Sequence, residues 1–196
     1  MNIQKVKFIY AYPFDSGRRR LFLEKNRSGY PELENVRDKT RYWEKIWEEK
    51  DSEYKIIETI YNITKSVPDR SLECFVVGGG INPMSTPFIM PVLGKDGERT
   101  DDQFIDVMIH ELLHIFVSKQ SNYFEFIREQ YKDEPILVQN HIIIYAFLEK
   151  IFTELFNSLP LDYNSDDMPE DYERAIEIVR TDGYENIIKS YYDHLE

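Results

Sequence analysis

Cysteine and histidine are the scarce residues of this 196-residue chain. The single cysteine, Cys74, excludes an internal disulfide and a cysteine-rich zinc finger. Only four histidines occur, and three of them, His110, His114 and His141, fall in a short central window. Long apolar runs are also missing, since no stretch approaches about 20 apolar residues, and the sequence therefore predicts no membrane span.

Positive charge is in deficit as well. Lys and Arg number 24 against 36 Asp and Glu, which gives a net charge of −12. Such a chain repels phosphate backbones, so no nucleic-acid partner is expected. The short N-terminal apolar run precedes its basic cluster at 18–20, the reverse of a secretory signal. Together with the lone cysteine, this order predicts a cytoplasmic protein, and no oligomeric state is assigned.

The length predicts a single domain over 1–196. Within it we expect an N-terminal strand and helix part at 1–99, a central part at 100–157 that carries the three histidines, and C-terminal helices at 158–196. The first part divides into strands at 6–12 and 72–77, a loop at 16–35, and one long helix or two over 36–65. Any strand within 85–93 contains two prolines, which favours an edge or irregular strand.

The clearest helix start in the chain is at Thr100. Thr100 and Gln103 match a capping box, and Asp101 and Asp102 follow in the first turn, where the helix dipole favours anions. This pattern predicts a helix that runs to about Ser118. Further helices are predicted at 122–131, at 135–156 behind an acidic cap and a first-turn proline, at 169–181 and at 183–194.

The predicted helix that begins at Thr100 contains the motif His110-Glu111-x-x-His114 within the segment VMIHELLHIF. Residues four apart lie on one face of a helix, so both imidazoles can bind one metal ion, and zinc is the expected ion. Glu111 can take a proton from a water that the metal activates. By chance the pattern arises about 0.01 times in a chain of this composition. The alternative is two core histidines with a surface glutamate between them.

The segment VMIHELLHIF resembles the active-site helix of the zincin metallopeptidases, over about ten residues and the predicted layout around them. The resemblance implies an α+β fold with a small, mostly antiparallel sheet whose edge strand receives substrate, a long active-site helix and a helical C-terminal half. It also implies a zinc-dependent peptidase in which His110 and His114 bind Zn²⁺ and Glu111 is the general base. The metzincin extension is absent, since IFVSKQSNYF follows His114.

A third ligand is then needed, and His141 is the strongest candidate. It lies inside the predicted helix at 135–156, where a polar group on the apolar side must be satisfied. The alternative is a core histidine that is bonded to backbone or to a tyrosine. The chain is similar to the gluzincins, a zincin branch that supplies a glutamate from the later helix, and a histidine ligand at His141 departs from that pattern. Glu134 and Glu149 are therefore the carboxylate alternatives to His141.

Other residues carry weaker predictions. Asp106 lies one turn before His110 and either orients its imidazole or is a solvated charge. Tyr123, Tyr131 and Tyr145 are candidates to stabilise an oxyanion.

Cys74 invites comparison with the peptide deformylases, which combine the same motif with an upstream cysteine. Their glycine-rich motifs are missing around LECFVVGGG, so Cys74 is predicted to be a buried strand residue. The function expected from the sequence is therefore a zinc metallopeptidase with a peptide or protein substrate. The alternatives are a non-catalytic zinc-binding relative that serves as a binding module, or a hydrolase of a non-peptide amide.

Overall fold

The computed structural model describes residues 4–25, 28–68, 70–164 and 168–195. The strands in this part of the chain are β1 (Lys7–Tyr10), β2 (Glu73–Val77), β3 (Met84–Ser85), β4 (Phe88–Pro91), β5 (Leu93–Gly94) and β6 (Gly97–Glu98). The α-helices are α1 (Tyr12–Glu24), α2 (Leu33–Tyr54), α3 (Ile56–Thr64), α4 (Asp101–Val117), α5 (Ser121–Gln130), α6 (Ile136–Ile151), α7 (Glu170–Asp182) and α8 (Tyr184–Asp193). A π-helix, Phe152–Phe156, follows α6, and a 3-10 helix covers Leu161–Asn164.

The chain clusters into two compact units. The first is drawn from Met1–Glu58 and Val67–Ile115, and the second from Thr59–Ser66 and Phe116–Glu196. The first unit contains the strands, and the second contains α5 to α8. The α+β class and the helical C-terminal half are thus confirmed in their coarse form, whereas the single domain and the zincin-like architecture stay predictions.

The main sheet of the first unit has four strands in the order β1-β2-β4-β3. The pairs β1–β2 and β2–β4 are parallel, and only β3–β4 is antiparallel. The prediction of a mostly antiparallel sheet was therefore wrong. Parallel neighbours need long crossover connections, and α1, α2 and α3 supply the one between β1 and β2. The predicted strands at 6–12 and 72–77 are confirmed as β1 and β2.

The prediction of an edge strand within 85–93 is corrected in part, because β4 pairs on both sides, whereas Ser85 belongs to the edge strand β3. The edge belongs to the two-residue strand β3, which ends its pairing with β4 at Ile89. Pro91 is the last residue of β4, and the next N–H, that of Val92, donates to Val77 O at 2.8 Å. Because alternate N–H groups point to opposite neighbours, the N–H that Pro91 lacks falls on the side where β3 has already ended.

The prediction of a loop over 16–35 was wrong for most of its described part, because α1 covers Tyr12–Glu24 and α2 begins at Leu33; residues 26 and 27 lie outside the described residues. Helix α1 has a proline in its first turn, which is compatible with a helix start. Its buried Asp15 accepts hydrogen bonds from the Tyr30 hydroxyl at 2.5 Å and from Gly78 N at 2.6 Å. Local composition cannot predict these bonds, because their partners are far from Asp15 in the sequence.

Helices α2 and α3 confirm the two-helix alternative for 36–65. They are separated by Lys55, whose φ of 56° is left-handed, a few residues after Asp51-Ser52, where the sequence predicts the join between two helices. Helix α2 carries the buried Trp43, which stacks on Phe104 of α4 with ring centroids 4.5 Å apart and planes at 8°. This contact fixes the start of α4 against the first unit's core.

The capping box at the start of α4 is confirmed. The N–H of Thr100 donates to Gln103 Oε1 at 3.0 Å, and the N–H of Gln103 donates to Thr100 Oγ1 at 3.3 Å. The helix then runs to Val117, one residue from the predicted end. Both bonds satisfy backbone donors that the first turn of a helix leaves without an intrahelical acceptor.

We expect Thr100→Ala to lower the free energy of unfolding by about 1 kcal/mol, because an N-terminal N–H of α4 loses its side-chain acceptor. Urea denaturation of the variant and the parent chain measures the difference. Ser52→Ala, at an exposed position in the last turn of α2, is the matched control and should leave stability unchanged or slightly raised. Equal stability of parent and Thr100→Ala would show that the cap contributes nothing.

The helices of the second unit follow their predicted ranges closely, within one residue at most boundaries for α5, α7 and α8. Helix α6 is the most buried of them, with its residues from His141 to Leu148 all buried. With its π-helical end it forms Ile136–Phe156, a segment long and apolar enough to cross a membrane by length and composition. Of its most apolar stretch, 67% is buried, as in the core helix of a soluble protein, so the segment is weak evidence for a membrane. The expectation that the chain has no membrane span stays a prediction.

Candidate metal centre

Helix α4 presents His110 and His114 on one face. The apolar residues of the motif segment anchor the helix, and those that are buried are Met108, Ile109, Leu112, Leu113, Ile115 and Phe116. Both histidines are half-buried, and their Nε2 atoms lie 3.1 Å apart. The i, i+4 spacing thus brings the two imidazoles to one point, as the sequence predicts.

The separation of the two Nε2 atoms suits a shared metal ion. Two imidazole nitrogens at tetrahedral positions around zinc, each at its usual bond length, are about 3.3 Å apart. Neutral imidazole is also a ligand type that zinc prefers. The donor set and its spacing on α4 therefore fit the ion that the motif implies.

His141 lies on the buried side of α6, where its side chain is 5% exposed. Its Nδ1 is 2.7 Å from the carbonyl oxygen of Leu137, and donation in this bond leaves the ring's lone pair on Nε2. Metal-binding histidines usually carry a bond of this kind on the second nitrogen. Burial lowers the pKa of His141, against the opposing effects of the Leu137 bond and Asp171, and so favours the neutral form that binds metals.

The ligand atoms of His110, His114 and His141 all lie within 4.8 Å of one another, so this group could hold a metal ion. The two carboxylate alternatives are engaged elsewhere. Glu134 is paired with Arg174, whose Nη2 donates to Oε1 at 2.6 Å. Glu149 accepts a hydrogen bond from the Tyr163 hydroxyl at 2.8 Å.

Glu111 is 8% exposed, which differs from the surface glutamate of the alternative interpretation. Burial raises the pKa of Glu111 to about 7, and the nearby charge of Arg99 acts in the opposite direction. A group with a pKa near neutrality can both accept and release a proton at ordinary pH. Arg99 itself bonds Pro91 O through Nε at 3.1 Å, directly before the capping box.

Comparison with known proteins adds no relative to this picture. No family model, curated protein or solved structure matches this chain. The assignment of a function therefore depends on the residues and contacts of the chain itself.

The weaker predictions have mixed outcomes. Asp106 is 3% exposed, so it is not a solvated charge. Cys74 is confirmed as a buried residue of strand β2, and burial, followed by the charge of Glu111, raises the pKa of its thiol well above the usual value. The hydroxyl of Tyr131 donates to Asp182 at 2.6 Å, and that of Tyr145 donates to Asp162 at 3.0 Å.

Two neighbours of the proposed site residues were missed by the sequence analysis. Tyr172 of α7 places its ring centroid 4.5 Å from that of His141. Arg99 acts electrostatically on Glu111. Neither carries a local signal, because Tyr172 is one of 14 tyrosines and the effect of Arg99 depends on how the turn before α4 folds.

Proposed function

We propose that the chain is a zinc-dependent hydrolase that cleaves peptide bonds. His110, His114 and His141 are the zinc ligands in this proposal, and Glu111 is the general base. The observation that carries it is the convergence of three imidazoles within 4.8 Å, two of them on either side of a buried glutamate in a single helix.

Bound zinc would supply a Lewis acid that polarises the scissile carbonyl. Glu111 takes a proton from the attacking water on a carboxylate oxygen as the water oxygen bonds to the carbonyl carbon. The same carboxyl then gives that proton to the amide nitrogen as the carbon–nitrogen bond breaks. The Leu137 carbonyl holds the ring of His141 in one orientation throughout.

The position of Glu111 supports catalysis over a purely structural metal site. A site that only stabilises the fold needs ligands and no neighbouring base, whereas a buried carboxylate costs stability unless it is paired. Glu111 is buried beside the two histidines and follows His110 directly in the chain. We infer that this costly group is kept for proton transfer.

The charge of the chain suggests a preference among substrates. With a net charge of −12, the protein attracts basic peptides by long-range steering and repels acidic ones. We therefore expect faster turnover of basic peptides at low salt, with the difference falling as salt is added.

Removal of the metal tests the proposal. We expect zinc-loaded protein to hydrolyse members of a mixed library of acidic, neutral and basic peptides, to lose this activity in dipicolinate, and to regain it when zinc is restored. Isophthalate, a similar dicarboxylate that chelates poorly, is the control and should leave activity intact. Mass spectrometry of the products measures cleavage, and elemental analysis measures bound zinc.

Two results would contradict the proposal. One zinc per chain without cleavage of any peptide would identify a non-catalytic zinc-binding protein. Cleavage that persists after the zinc has been removed would show that hydrolysis does not need the metal.

A further inference from the structure

Two side chains of α7 lie beside His141, the buried histidine of the proposed metal centre. The Tyr172 ring is tilted against the His141 ring, with centroids 4.5 Å apart. Asp171 precedes Tyr172 in the first turn of α7. Burial lowers the pKa of His141, and the negative charge of Asp171 acts against that effect, so this charge reaches the same histidine. Both α7 side chains are only half-buried, which leaves them open to a molecule held at His141.

The carboxylate of Asp171 has no hydrogen-bond or ion-pair partner in the part of the chain that the structure describes. Arg174, three residues further along α7, is paired with Glu134 and Glu177. Hydrogen bonds between ionised groups are roughly twice as strong as those between neutral groups. Asp171 is therefore suited to a partner that brings both a positive charge and N–H donors.

The first turn of α7 holds three acidic residues, Glu170, Asp171 and Glu173, where the helix dipole favours anions. The dipole accounts for an acid at each of these positions. Asp171 differs from the other two because it is half-buried and acts on His141, whereas Glu170 and Glu173 are exposed. Glu173 lies about 200° around the helix from Asp171, on the opposite face. The place of Asp171, and not only its charge, sets it apart.

Leu137 supplies an apolar surface next to the same histidine. It lies one turn before His141 on α6, and therefore on the same face of that helix. Its side chain is 40% exposed. An alkyl chain can cover such a surface while its charged end remains with a carboxylate.

We propose that Asp171, Tyr172 and Leu137 select peptides that carry a lysine or arginine side chain next to the cleaved bond. The cation donates to the Asp171 carboxylate and lies over the face of the Tyr172 ring, and its alkyl stem packs on Leu137. This inference rests on the proposed hydrolysis, because it places the cleaved bond at a metal bound by His141. It differs from long-range steering, which acts on the rate of encounter and fades as salt is added.

A set of matched peptides tests the proposal in about 0.5 M sodium chloride, where steering is screened. In an alanine-based peptide, lysine, arginine, norleucine or glutamate replaces one alanine at a time; norleucine has the four-carbon chain of lysine without its ammonium. At one position relative to the cleaved bond, lysine or arginine should raise kcat/KM by roughly tenfold or more over norleucine. Asp171→Asn should reduce this ratio to about threefold or less, and Tyr172→Leu should lower it by about threefold. Glu173→Gln, which removes the same charge from the opposite face of α7, should keep the ratio of the parent.

The contact with the alkyl stem has its own pair of variants. Leu137→Ala should lower kcat/KM for the lysine and norleucine peptides by a similar factor, because both lose the same apolar contact. Ile136→Ala, at the exposed neighbouring position, should change neither value. A loss confined to the lysine peptide would contradict the role of Leu137.

Binding to zinc-loaded Glu111→Gln separates this inference from the proposed hydrolysis. Fluorescence anisotropy of labelled peptides should show tighter binding of the lysine peptide than of the norleucine peptide, whether or not the parent cleaves them. No cleavage of any peptide by the parent would contradict the hydrolysis, whereas equal rates and equal binding of the two peptides would overturn the selection. Circular dichroism checks the fold of each variant, and Tyr172→Leu takes the place of Asp171→Asn if the latter does not fold. An unchanged ratio in folded Asp171→Asn would also overturn the proposal.

Discussion

Glu111→Gln is expected to lower peptide hydrolysis by roughly 100- to 10,000-fold while one zinc per chain is retained. The amide has nearly the shape of the carboxyl group, so packing around α4 is preserved, but it cannot take the proton of the attacking water. The three imidazoles are untouched, so metal binding should persist. Initial rates on the best peptide of the library, together with elemental analysis, measure both quantities.

Glu53→Gln is the control for this experiment. It makes the same chemical change at an exposed residue of α2, far along the chain from the motif. It should keep the full rate. The melting temperature of Glu111→Gln should equal or exceed that of the parent, since a buried carboxylate is replaced by a neutral group. A variant that hydrolyses at the parent rate would remove Glu111 from the mechanism.

His141→Ala is expected to abolish stoichiometric zinc binding and hydrolysis together. Even the outer partners of metal sites cost roughly 10- to 100-fold in affinity when they are lost, so removal of a ligand should weaken zinc binding by more than that. The zinc content after gel filtration, and competition with a chromophoric chelator, measure the loss. Zinc added in excess should not restore the parent rate.

His194→Ala is the matched control, because His194 stacks on Phe126 and bonds Ser190 O rather than joining the histidine group. It should keep one zinc per chain. His114→Ala supplies a second test at a half-buried position, where a folding defect is less of a concern, and it should lose zinc as well. Unchanged zinc in folded His141→Ala would move the third ligand to Glu134 or Glu149.

Local signals in the sequence were sufficient for the elements that position the motif. The capping box at Thr100 and the helical spacing of His110 and His114 lie within a few residues, so short-range geometry decides them. Short-range geometry does not decide the direction in which strands pair. The parallel pairing of β2 with β1 and β4 depends on which crossovers the chain makes, and no alternation of apolar residues reports it.

The proposed site also contains some residues that the sequence identifies and others that it does not. His141 could be singled out because a histidine on an apolar helix needs a partner, and its Nδ1 does bond the Leu137 carbonyl. Tyr172 and Arg99 could not be found, since their proximity to His141 and Glu111 arises from packing. Helix α1 was mistaken for a loop because Asp15 is held by distant partners, Tyr30 and Gly78.

The thiol of Cys74 can report local unfolding of the first unit. It is fully buried in β2 with its sulfur 3.9 Å from Met108 Sδ, and its raised pKa keeps it protonated and unreactive in the folded state. Alkylation therefore requires the first unit to open around it. The rate of thiol labelling counts those openings at a single known position, with no introduced label and no competing sulfhydryl.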